Sequence, residues 1–158
     1  MTGRENSCQS VGWQAGNLVR ILLAFLFLMS VAATVQAHCQ IPCGIYNDEM
    51  RLDMISEHVR TIEKSMNEIM GLQKAKEINY NQLVRWIDNK DEHANEIQEI
   101  INQYFLAQRI QFDDKEYTKK LGLLHKIIVY AMKCKQTVDL ENLKKLREAC
   151  REFEGFYR

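Results

Sequence analysis

The chain has 158 residues, one proline and 27% charged side chains, and its formal net charge is zero, from 21 basic and 21 acidic residues. That balance excludes a strongly basic nucleic-acid binder and a polyacidic tail, and the length suits a single domain with a modest core. Five cysteines, Cys8, Cys39, Cys43, Cys134 and Cys150, make an odd number, which argues against a complete disulfide framework.

The first element is an apolar run from Ile21 to Ala33. As a helix it would span about 20 Å, short of the roughly 30 Å hydrocarbon core of a bilayer. Arg20 precedes it, and Val35 and Ala37 occupy the small-residue positions before a cleavage point. A positive flank, a short apolar core and a small-x-small exit predict a secretory signal peptide or leader over residues 1–37, removed by a processing peptidase after Ala37. On this reading no stable membrane anchor remains after cleavage, and the protein is exported, to a periplasm or the outside. An uncleaved membrane anchor is the alternative.

Cleavage after Ala37 makes His38 the N-terminus of the segment His38-Cys39-Gln40-Ile41-Pro42-Cys43-Gly44-Ile45-Tyr46. A free α-amine has a pKa near 8, so it can lose its proton and bind a metal close to neutral pH. The His38 imidazole is a second nitrogen donor, and Cys39 and Cys43 offer two thiolates. If the amide between His38 and Cys39 deprotonates, amine, amide nitrogen and Cys39 sulfur form two fused chelate rings. Cys43 then closes a planar N2S2 set, with the imidazole axial. Planar nitrogen and sulfur donors suit Ni(II) or Cu(II), whereas zinc takes a tetrahedral set. Pro42 stiffens the spacer, and Gly44 permits backbone angles that a Cβ would resist. Residues 38–46 thus read as a metal-binding hook. A Cys39–Cys43 disulfide is the competing reading, because an exported compartment favours oxidation.

Residues 47–158 are helical in pattern. Asn47 caps a first helix, with Asp48 and Glu49 near the positive end of its dipole. Leu52, Ile55, Val59, Ile62, Met66 and Ile69 form one apolar stripe. After a polar link at Lys74–Glu77, a second region runs from about Tyr80 to Gln108. Asn89-Lys90-Asp91-Glu92 interrupts its pattern, so it reads either as two helices or as one with a polar stretch. A third helix carries Tyr117, Leu121, Leu124, Ile128 and Ala131, and a fourth carries Leu140, Leu143, Leu146, Cys150 and Phe153. With short links and no strand signal, the fold class is all-α: an antiparallel four-helix bundle preceded by the N-terminal hook. In such a hairpin Cys134 and Cys150 sit about 14 Å apart along the axis, which favours two buried thiols over a disulfide. His58, His93 and His125 read as surface or satisfied polar residues. No Walker loop, Rossmann glycine pattern or nucleophile elbow is present, so any enzymatic function rests on the hook.

The run His38-Cys39-x-x-Pro42-Cys43-Gly44-x-Tyr46 resembles the nickel hook of the nickel superoxide dismutase family at every fixed position, and a looser likeness continues to Arg158. The resemblance implies one nickel ion per subunit, held by the His38 amine and imidazole, the Cys39 amide and thiolate, and the Cys43 thiolate. It implies Ni(II)/Ni(III) cycling that converts superoxide to dioxygen and hydrogen peroxide, in a homohexamer of four-helix bundles. It casts Tyr46 as the residue over the open face of the metal, ordering water and restricting access to small anions, with Tyr104 as a second active-site tyrosine. Family members support the N-terminal histidine with a carboxylate and an arginine, for which Asp53 and Arg85 are the candidates here. Many members carry an acidic residue directly after the first cysteine, where this chain has Gln40. Family precursors can also lose their leader inside the cell, which makes a cytoplasmic location the alternative to export. An exported nickel or copper carrier without catalysis is the alternative function.

Overall fold

The computed structural model describes residues 17, 19–25 and 44–157. The chain divides into two compact units, residues 1–38 and residues 39–158. In the first unit, residues 19–25 are helical and expose Val19, Ile21, Leu22, Leu23 and Phe25. Among the described residues no helix is long and apolar enough to cross a membrane. The expected cleavage point at Ala37 and the hook residues His38, Cys39 and Cys43 lie outside the described residues.

The second unit is helical throughout, with no strand among the described residues. Its helices are α1 (Asp48–Gln73), α2 (Tyr80–Glu99), α3 (Tyr117–Gln136) and α4 (Leu140–Glu154), and a π-helical segment, Ile100–Arg109, continues α2. Side chains set the starts of three helices. Asn47 accepts the Met50 N–H, Asn79 the Gln82 N–H and Asp139 the Glu141 N–H. Each helix packs on the next, and α4 closes back on α1. Pairs such as Asp48–Arg109 and Ser65–Asn89 between α1 and the α2–π helix, and Lys90–Cys134 and Gln98–Ile128 between α2 and α3, run in opposite senses along the chain. The bundle is therefore antiparallel.

The α1 stripe expected from the sequence is buried in full. On α3 the seam is rotated: Leu123, Leu124, Ile127, Ala131 and Cys134 are buried, whereas Leu121 and Ile128 are half-buried. The shift follows from α3 packing on two neighbours at once, α2 and α4. Phe105 stacks edge-on against Phe153 (5.0 Å, 89°) and Tyr104 (5.0 Å, 83°), tying the π segment to α4. Cys134 and Cys150 are free thiols.

The polar stretch Asn89–Glu92 does not break α2, which passes through it. Its polar groups are satisfied by the neighbouring helices. Asn89 donates to the Ser65 hydroxyl on α1 at 2.8 Å. The Lys90 ammonium, 3% exposed, donates to Asp91 (2.6 Å) and to the Cys134 and Lys135 carbonyls (2.7 and 2.6 Å). Those carbonyls belong to the last turn of α3, which has no further N–H to accept within the helix. Lys90 thus caps the negative end of α3 from a different helix.

One turn further along, His58 of α1 and His93 of α2 meet Nδ1 to Nδ1 at 2.7 Å, so the two rings share a single proton. Burial and then the His93 charge hold the His58 pKa below its ordinary 6.5, against the opposing pull of Glu96 and Glu57. The folded state disfavours the charged His58 relative to the unfolded chain, so its stabilising contribution is present above pH 6.5 and is lost as the pH falls from there through the lowered folded-state pKa. The melting temperature should therefore decline on acidification from pH 7 to 5, and His58→Gln should flatten that decline in a thermal scan across pH. An unchanged slope would show that other groups govern it.

Candidate active site

The site is built where the chain enters α1. Gly44 has φ of +82°, a conformation only glycine adopts without strain, and it turns the chain directly after Cys43. Asn47 then caps α1, so Asp48 stands in the first turn with its carboxylate beside the helix N-terminus. Tyr104 and Arg109 reach the same point from the π segment. Closed by Ile110 N–H to the Phe105 carbonyl, this segment buries Ile100, Ile101, Tyr104 and Phe105, adjacent pairs four residues apart.

Asp48 is the hub. Its Oδ1 accepts from the Tyr104 hydroxyl at 2.6 Å and from Arg109 Nε at 2.8 Å, and its Oδ2 accepts from Arg109 Nη2 at 2.7 Å. The arginine fork is bidentate, the geometry that gives charge-assisted bonds their strength and direction. The Arg109 guanidinium also covers the Tyr46 ring at 4.4 Å, and Tyr46 meets Tyr104 edge-on at 6.0 Å and 77°. Arg51 lies over the Tyr104 ring at 5.2 Å. Tyr46 is 41% exposed whereas Tyr104 is 1% exposed, so one phenol faces solvent and the other is fixed behind it.

The electrostatics follow from this packing. Burial works against the Asp48 carboxylate, but the hydrogen bonds from Arg109 and Tyr104 and the Arg109 charge outweigh it and hold the pKa below the carboxylate norm. Tyr104 is pushed up to about 12, first by burial and then by its bond to the Asp48 anion. Tyr157 is also pushed up to about 12, by burial and then by the Asp48 charge. Tyr104 is therefore a neutral phenol near neutral pH, and its proton is committed to Asp48. Replacing Asp48 by Asn keeps the shape and removes the charge. The expected result is a Tyr104 titration moved back toward 10, read from the ultraviolet absorbance of the phenolate, and a loss of about 1 kcal/mol in denaturant unfolding. An unmoved titration would show that burial alone sets it.

The structure thus brings together Tyr46 and Tyr104, two of the residues singled out from the sequence. Asp53 is exposed on α1 and Arg85 is exposed near the start of α2; His38, which both were expected to support, lies outside the described residues. The carboxylate and arginine gathered at the tyrosines are Asp48 and Arg109. Asp48 was visible in sequence only as a first-turn acid. Nothing local marked Arg109, which lies 61 residues from its partner. Among the described residues no group of three or more His, Cys, Asp or Glu side chains could hold a metal. The residue types at the expected hook, an imidazole at His38 and two thiols at Cys39 and Cys43, with an amine as well if the chain begins at His38, fit a nitrogen- and sulfur-seeking d-block ion.

A family model described as nickel-containing superoxide dismutase matches residues 33–158. No curated protein and no solved structure matches the chain.

Proposed function

The chain belongs to the nickel-containing superoxide dismutase family, an oxidoreductase family, and on that premise we propose that its activity resides at the N-terminus exposed by cleavage after Ala37. The observation that carries this reading is the Tyr46–Arg109–Asp48–Tyr104 cluster, seated three residues beyond Cys43. In this reading His38 provides its amine and imidazole, Cys39 its amide nitrogen and thiolate, and Cys43 its thiolate, for one nickel per subunit. When bound, nickel would supply the one-electron Ni(II)/Ni(III) chemistry by which two superoxide ions and two protons become dioxygen and hydrogen peroxide.

The protein's own residues do the rest. Tyr46, held down by Arg109 and backed by Tyr104, presents a phenol hydroxyl that orders water and narrows access to small anions. Tyr104 keeps its proton, because Asp48 binds it in the neutral state, so it acts as a fixed wall with acceptor lone pairs. Asp48 and Arg109 are positioning residues, acting through the two tyrosines. A homohexamer and an exported location, periplasmic or secreted, complete the proposal.

The test is superoxide decay with the chain that begins at His38, after its nickel content has been established. Rapid catalytic decay supports the enzyme reading at this terminus. Background decay by fully loaded protein would point instead to a nickel carrier.

A further inference from the structure

A cleft of about 320 Å³ opens between α1 and α4, on a part of the bundle that the reaction does not use. Arg60 lies about 18 Å along α1 from Asp48, at 1.5 Å per residue. Val59, 3% exposed, and Cys150 form apolar lining. Three guanidiniums, Arg60 on α1 and Arg147 and Arg151 on α4, face two carboxylates, Glu63 and Glu154, which leaves the cleft one positive charge in excess. Arg147 is tied to Glu63 at 2.6 Å. Arg60 and Arg151 are exposed, on opposite walls, and among the described residues neither has a hydrogen bond or ion pair. Isolated surface arginines commonly end in an ion pair or in solvent. Two unpaired ones flanking an apolar lining in a concave space are the arrangement of a small-molecule site, where a few polar groups orient a ligand and apolar walls hold it.

We propose that this cleft binds a small carboxylate with an apolar body. The carboxylate lies between Arg60 and Arg151, whose planar forks match it bidentately, and the body rests against Val59 and the Cys150 side chain. The Cys150 thiol, pushed up to about 12 by burial, then the Glu154 charge and then Cys134, remains a protonated, unreactive wall.

The test uses the nickel-loaded protein and benzoate, with benzyl alcohol as a neutral mimic at matched ionic strength. Benzoate is expected to bind in the millimolar range or tighter by calorimetry and to raise the melting temperature, whereas benzyl alcohol should do neither. Arg60→Gln and Arg151→Gln should each weaken benzoate about tenfold, the loss of one charge-assisted contact, with Arg151→Lys intermediate. Superoxide decay should be unchanged in these variants, so the outcome stands apart from that of the proposed activity. Absence of benzoate binding, equal binding of benzyl alcohol, or undiminished binding by the double variant Arg60→Gln/Arg151→Gln would each overturn the proposal.

Discussion

A nickel-loaded chain that retains Ala37 is expected to decay superoxide about a thousandfold or more slowly than the chain beginning at His38. With Ala37 in place, the His38 nitrogen is a peptide amide, which carries no basic lone pair near neutral pH. The amine donor is lost, and the first chelate ring, from the amine to the Cys39 amide nitrogen, loses its anchor. The His38 side chain also changes its relation to the metal, because its own backbone nitrogen no longer fixes it. Two readouts separate the causes. Metal analysis tells whether nickel is still held, and the thiolate-to-nickel absorption tells whether the remaining donors keep their arrangement. Retained nickel with an altered absorption and background decay would locate the defect at the amine. Comparable decay by both chains would overturn the role of the free terminus, whatever the metal content.

The second large effect is on stability. Lys90→Met should destabilise the bundle by about 3 kcal/mol, which for a chain of this size lowers the melting temperature by roughly 10 °C. Methionine preserves most of the apolar stem but removes all three donors. The Cys134 and Lys135 carbonyls, at the end of α3, then lose their common partner, and Asp91 loses a contact of 2.6 Å. The figure lies at the low end for breaking a buried charge pair, because the Asp91 side chain is 38% exposed and can return to water. Asp91→Asn should cost less for the same reason. Denaturant midpoints for the two variants check the order. A loss below about 1 kcal/mol for Lys90→Met would show that water reaches the end of α3 and replaces the ammonium.

These two predictions probe different kinds of information. The N-terminal donors lie within six residues, and their chemistry depends on residue types and spacing along one short segment. That is why the hook and the family likeness were legible from His38, Cys39, Pro42, Cys43, Gly44 and Tyr46 in order. The positive φ at Gly44 agrees with the expected turn there, and the match over residues 33–158 agrees with the family likeness. Lys90 shows the opposite case. In sequence, Asn89-Lys90-Asp91-Glu92 is a polar interruption, and one helix or two were equally consistent with it. The choice depends on what α1 and α3 present opposite it, and only packing supplies Ser65 and the α3 carbonyls.

The sequence by itself determined the helical class, the α1 stripe and the cap at Asn47. Each is a local property, set by periodicity along one helix or by side chains reaching their own backbone. Only the tertiary structure decided that Asp48 and Arg109 gather at the two tyrosines. It alone decided that α2 ends in a π segment burying Tyr104 and Phe105, and that His58 and His93 share a proton across two helices. The physical reason is the same in all three. A wider helical turn and the choice of an ion-pair partner many residues away are set by how the packed helices fit together, and no spacing within a single helix encodes them.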